Sequence, residues 1–133
     1  MRVFFDTNVL VSAFLARGLC ADLLRLVLTE HTLVCSEGVL DELRDVLRRK
    51  SRLPPAQIEA IETFLRDQPI APRPKTTLQL GLVDADDEWV LASAVLVEAD
   101  LLVTGDQGVL SCTTSPLPLL NPRSCWEHLR SSG

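Results

Sequence analysis

Short apolar runs alternate with helical patterns along the chain, and this alternation constrains the fold more than any other feature. Val3-Phe4-Phe5 is too short for a helix and is stopped by Asp6. Val9, Leu10, Ala13 and Phe14 then recur at helical spacing, with Thr7 or Asn8 placed to cap the segment and Gly18 to end it. Ala21 to Leu28 reads as a second helix, and Leu33-Val34-Cys35 as a buried strand. Ser36 is set to cap a helix reaching about Arg49. Its first turn carries Glu37 and its last Arg48, Arg49 and Lys50, charges that complement the helix dipole.

Pro54-Pro55 opens a further helix through Ile58, Ile61, Phe64 and Leu65. Pro69 to Lys75 reads as extended chain with an edge strand around Ile70. An acidic turn from Asp84 to Glu88 leads into Trp89–Val97, which is apolar on nearly every face and is expected to be a buried helix. Leu101-Leu102-Val103 is a strand that breaks at Gly105-Asp106. A strand from Leu117 to Leu120, then Pro122 and a helix through Trp126 and Leu129, complete the pattern.

Such alternation calls for a parallel sheet with helices on both faces. No repeat, low-complexity tract or long linker divides the sequence, so residues 1–133 are expected to form one α/β domain. A hydrophobic content of 47% beside 23% charged residues excludes wholesale disorder. No apolar run is long enough to span a membrane. Asp6 interrupts the only apolar segment placed where an export signal would lie, so a cytoplasmic protein is expected.

The four cysteines (Cys20, Cys35, Cys112, Cys125) show no CxxC pairing, and His31 and His128 fall at no zinc-ligand spacing from them. A net charge of −5 argues against a nonspecific DNA coat but suits a carboxylate-rich cation site. In open parallel sheets, ligands bind beyond the carboxyl ends of the strands, where strand order reverses. Asp6 and Asp106 stand at that end by position, each following a strand, although singly either serves equally well as a cap or turn residue.

Glu42 flanks the apolar stripe Val39, Leu40, Leu43, Val46 and Leu47, whereas Asp41, Arg44, Asp45 and Arg48 are expected to point further toward water. Asp84-Ala85-Asp86-Asp87-Glu88 holds four acids within five residues, more than capping requires. Asp87 is the residue expected to face the sheet, with Asp86 its nearest competitor. Carboxylates from four segments, without nearby His or Cys, suit Mg²⁺ or Mn²⁺ and support phosphoryl-transfer hydrolysis. Asn8 and Thr104 are candidates to orient the acids or waters.

Val3-Phe4-Phe5-Asp6-Thr7-Asn8-Val9-Leu10-Val11-Ser12 resembles the first motif of PIN-domain ribonucleases, more specifically the VapC-like toxins of bacterial type II toxin–antitoxin systems. Ser36-Glu37-Gly38-Val39-Leu40-Asp41-Glu42-Leu43 is similar to the second motif, Asp84 to Glu88 to the aspartate-rich turn, and Leu102-Val103-Thr104-Gly105-Asp106 to the fourth. Pro118 to Leu129 resembles the closing strand and helix. Three positions depart from the pattern: Val83 replaces a frequent arginine, Ala85 a frequent proline, and Glu98 a frequent glycine.

The resemblance implies an α/β/α sandwich with a mainly parallel sheet, and a metal-dependent endoribonuclease acting on RNA. It further implies a homodimer held inactive by a cognate antitoxin protein. Carried over by position, the catalytic and metal-binding acids would be Asp6, Glu42, Asp87 and Asp106. Other readings fit less well. A phospho-receiver domain needs a lysine after a late strand, and only Lys50 and Lys75 exist. A haloacid-dehalogenase-type phosphatase needs an aspartate where Asn8 stands. A catalytically silent interaction module is the remaining alternative.

Overall fold

Arg2–Phe5 forms β1, and its apolar residues Val3, Phe4 and Phe5 are wholly buried, as a central parallel strand covered on both faces requires. The computed structural model describes residues 1–82 and 84–131, so Val83 lies outside the described residues. After β1 come α1 (Thr7–Leu15), α2 (Leu19–Glu30), β2 (Thr32–Ser36), α3 (Glu37–Lys50) and α4 (Pro55–Arg66). The order continues with β3 (Ile70–Ala71), α5 (Ala85–Leu96), β4 (Leu101–Val103), α6 (Gln107–Leu110), β5 (Leu119–Leu120) and α7 (Pro122–Ser131).

The five strands are all parallel, in the order β3-β2-β1-β4-β5. In register, Phe4 pairs with Val34 on one side and Leu102 on the other. The chain builds outward from β1 through β2 to β3, then returns to place β4 against the other flank of β1. Strand order therefore reverses between β1 and β4. Helices cover both faces, giving the three-layer α/β/α sandwich: α1 packs on α2 and α3, α2 on α7, α3 on α4, and α5 over β2 and β3. The core between them is mainly aliphatic, with Phe4 and Phe5 at its centre, and is built on β1, β4 and the inner stripe of α3.

Local sequence accounts for most element ends. Ser36 caps α3, its Oγ accepting the Val39 N–H at 3.2 Å, and Pro55 opens α4 in the first turn, where its missing N–H costs nothing. Several expectations are corrected. Asp6, not Thr7 or Asn8, caps α1. That helix ends at Leu15, and Gly18, at φ 139°, precedes α2 rather than terminating α1. Asp86, Asp87 and Glu88 lie in the first turn of α5, not in a separate turn. The α5 segment is not buried all round: Leu91, Ala92, Ser93 and Ala94 are buried, but Trp89, Val95 and Leu96 are exposed, because only one face meets the sheet. Asp106 starts the short helix α6 where only a turn was expected, and β5 is limited to Leu119–Leu120.

On α3, Asp41 and Arg44 are drawn inward more than Glu42. The Arg44 guanidinium bridges Asp41 and Glu62, both at 2.9 Å, which ties α3 to α4. Glu98, at φ 59°, holds the left-handed conformation that a glycine adopts freely. Arg2 supports this bend. Its guanidinium donates to the Val97 carbonyl at 2.7 Å and the Glu98 carbonyl at 3.1 Å, satisfying groups at the end of α5. All four cysteines are free. No helix among the described residues is long and apolar enough to cross a membrane.

Candidate functional site

The site lies beyond the carboxyl ends of β1 and β4, where the strand order reverses. Sheet pairing continues into it: the Asp6 N–H donates to the Val103 carbonyl at 2.9 Å, which fixes the acid beside the end of β4. Asp6 Oδ1 accepts the Thr7 N–H at 2.8 Å, and Oδ2 accepts the Thr104 hydroxyl at 2.9 Å. Thr104 is fully buried, and its Oγ1 also accepts the Asp106 N–H at 3.1 Å. One hydroxyl thus links the side chain of Asp6 to the backbone of Asp106.

Asp106 is oriented in turn by α6. Its Oδ1 accepts the N–H groups of Gly108 at 2.7 Å and Val109 at 3.3 Å. A Cβ at position 108 would lie 3.1 Å from that oxygen, so glycine gives the carboxylate room to seat over the helix start. At the start of α5, Asp84 caps the helix by accepting the Asp86 N–H at 2.9 Å. The Glu88 carboxylate accepts from the amides of Leu80 and Gly81, pinning the preceding loop against α5.

The charges of these segments are felt by one another. Asp87 is pushed up to about 6, first by desolvation and then by Asp106, Asp84, Asp6 and Asp86. Asp6 is raised by burial and further by Asp106, against the opposing hydrogen bonds from Thr104 and the Thr7 amide. Although Glu42 as a residue is exposed, desolvation of its carboxyl is the first cause of its upward displacement, followed by Asp6 and Asp86. Asp6 therefore stands at the middle of the group. Asp87 belongs to the Asp106 side of it, and Asp86 to the Glu42 side.

Of the supporting residues expected from sequence, Thr104 meets the acids and Asn8 does not: Asn8 is exposed on the first turn of α1 and bonds to none of them. Its neighbour Thr7 is the residue that sequence reasoning missed. The Thr7 side chain is buried beside Glu42, and its Oγ1 makes no hydrogen bond of normal geometry. The available signal was helical phase, since Thr7 precedes Leu10 by three residues and shares its inward face.

A cavity of about 410 Å³ opens beside the acids, with Glu42 and Asp86 in its wall and Ser36, Arg73, Trp89 and Ser93 among its other lining residues. The donor set is oxygen alone: four carboxylates and the buried Thr7 hydroxyl beside Glu42, which suits a hard divalent cation rather than zinc. Among the described residues, no three His, Cys, Asp or Glu side chains gather closely enough to hold a metal as they stand.

The PIN domain family model matches residues 2–108, a stretch that includes all four acidic segments. Two solved structures are similar in fold. VapBC2 from Rickettsia felis, bound to a DNA fragment from their promoter, aligns with TM-score 0.66 and 21% identity over 91% of this chain and 98% of that one. FitAcB from Neisseria gonorrhoeae aligns with TM-score 0.60 and 17% identity over 91% and 98%. No curated protein matches the chain. With most of its length matched by the family model and its acids at the strand-order reversal, the chain belongs to the PIN domain family.

Proposed function

We propose that this protein is a metal-dependent endoribonuclease that hydrolyses RNA phosphodiester bonds and serves as the toxin of a toxin–antitoxin pair. The observation that carries this reading is the placement of Asp6 and Asp106 beyond the ends of β1 and β4, joined through the Thr104 hydroxyl at the reversal point of a parallel sheet, with Glu42 and Asp87 each raised in part by the charge of Asp6. Like-charged carboxylates held together raise the cost of ionisation, and a divalent cation relieves it.

Asp6, Glu42, Asp87 and Asp106 would hold Mg²⁺ or Mn²⁺, with Asp86 contributing on the Glu42 side. When bound, the cation supplies an acidified water and stabilises the attacking and leaving oxygens of the phosphodiester. The remaining work belongs to the chain. The Thr104 hydroxyl and the Thr7 amide fix both oxygens of Asp6 in direction, and the start of α6 fixes Asp106. The likeness in fold to VapBC2 and FitAcB supports the partner side of the reading, a cognate antitoxin protein. A homodimer rests on the family resemblance.

A catalytically silent PIN-like module is the second reading, favoured because, among the described residues, no three His, Cys, Asp or Glu side chains are arranged to hold a metal. One assay separates the two. RNA cleavage is followed with Mg²⁺, with Mn²⁺ and with chelator, for the wild type and for Asp6→Asn. The nuclease reading expects cleavage only with metal and a loss of at least roughly 100-fold in Asp6→Asn, in the range seen when a main electrostatic contributor is removed. Metal-independent activity, or equal activity in the variant, would sink it.

A further inference from the structure

The cavity beside the acids has a composition that the metal chemistry does not explain. Glu42 and Asp86 form one side of it, but Trp89, Val39, Val90 and Arg73 complete the wall. Trp89 follows Asp86 by three residues on α5, so it stands on the same helix face as that acid, one turn further along. The residue is 40% exposed, whereas the chain's other tryptophan is partly buried under Arg130. An exposed indole that borders a concavity is placed to receive a flat partner. Arg73 lines the same cavity, 65% exposed and paired with Asp41, so a cation accompanies the acids there.

An exposed indole, the apolar side chains of Val39 and Val90 and a guanidinium beside the proposed phosphodiester-cleaving centre match the base and phosphate of one nucleotide. Single-stranded RNA is recognised chiefly by unstacked bases lying on aromatic faces, with cations on the phosphates. The cavity volume of about 410 Å³ lies within the range of small-ligand sites. The geometry points to a base-binding subsite: a nucleobase of single-stranded RNA next to the cleaved linkage stacks on Trp89, and Arg73 contacts the adjoining phosphate. Trp89 is then a substrate-binding residue that sets how tightly the strand is held. This inference rests on the nuclease reading above and names where its substrate lies.

Gly38 supplies an independent way to test it. It lies on α3 at the cavity wall, with no backbone conformation that requires glycine, and a Cβ there would point toward Arg73 at 4.0 Å. A leucine at this position projects into the cavity and, as a better helix former, supports α3. Steady-state cleavage of RNA in Mg²⁺ is measured for the wild type, Trp89→Phe, Trp89→Ala and Gly38→Leu. Binding is measured by Trp89 fluorescence in an Asp6→Asn, Trp126→Phe background, with an octamer of riboadenylate and an abasic octamer of the same backbone.

Loss of one stacked base weakens the strand by about 5- to 150-fold, so Trp89→Ala and Gly38→Leu raise KM by that factor with a smaller change in kcat. Trp89→Phe keeps most of the wild-type KM, and riboadenylate quenches Trp89 where the abasic strand does not. A wild-type KM in both Trp89→Ala and Gly38→Leu, or equal quenching by the two strands, overturns the subsite while leaving the nuclease intact. A wild type that neither cleaves nor binds RNA with either metal removes the nuclease reading and the subsite with it.

Discussion

Replacing Asp87 by asparagine is expected to make the metal-free protein more stable, and the size of the gain follows from the crowding of the acids. In the folded chain Asp87 is pushed from 3.8 up to about 6, with burial first among the causes and Asp106 next. Below about pH 4 the carboxyl is protonated in both folded and unfolded chains and contributes no difference. Between about pH 4 and 6 the unfolded chain has already released the proton that the folded chain still keeps, so stability falls as pH rises. Above about pH 6 the whole difference is lost from the folded state. A displacement of this size corresponds to about 3 kcal/mol, and because Asp87 is only half-buried, screening by water reduces it to about 1–2 kcal/mol.

The asparagine side chain keeps the shape of the aspartate and cannot ionise, so Asp87→Asn should recover that amount at pH 7.5. For a chain of this size the gain corresponds to roughly 4–8 °C in Tm. The assay is thermal or urea unfolding in chelator at pH 7.5 and at pH 4. The expected gain is present at pH 7.5 and absent at pH 4. Titration with Mg²⁺ then separates repulsion from ligation: a ligand loses cation affinity when neutralised, so Mg²⁺ should raise the Tm of the wild type more than that of the variant. A variant no more stable at pH 7.5, or a gain of equal size at both pH values, would refute the reasoning. Equal Mg²⁺ stabilisation would remove Asp87 from the metal site.

Two further outcomes follow from single contacts. Thr104→Val keeps the volume of a fully buried side chain but strips both the donor to Asp6 and the acceptor for the Asp106 N–H, and should cost about 1–3 kcal/mol in urea unfolding while lowering metal-dependent cleavage. An unchanged midpoint would show that the bridge is not needed. Glu98→Gly relieves a left-handed backbone while Arg2 keeps its carbonyl partners, and should raise stability by about 1 kcal/mol, against the usual destabilising effect of glycine; a loss would show that the bend carries no strain.

The elements themselves were legible because their causes are local. A run such as Val3-Phe4-Phe5 is buried on both faces wherever it pairs, and Ser36 caps α3 through an N–H three residues away. The same locality marked Asp6, which follows β1 at once, and Asp106, three residues beyond the end of β4. Exposure along α5 was not legible: its composition is apolar on every side, and only packing against β2 and β3 selects the face that is buried.

Sequence alone therefore determined the alternation of strands and helices, the parallel sheet and the positions of Asp6 and Asp106 beyond strand ends. Tertiary structure decided which of those acids influence one another. The division between Asp86 on the Glu42 side and Asp87 on the Asp106 side depends on how α5 is rolled against the sheet, and neighbours at adjacent positions point about 100° apart on a helix. Thr7 beside Glu42, and Arg73 lining one cavity with Trp89, likewise join segments distant along the chain. Spacing within a segment fixes which way residues face relative to each other. It carries no information about which other segment they will face.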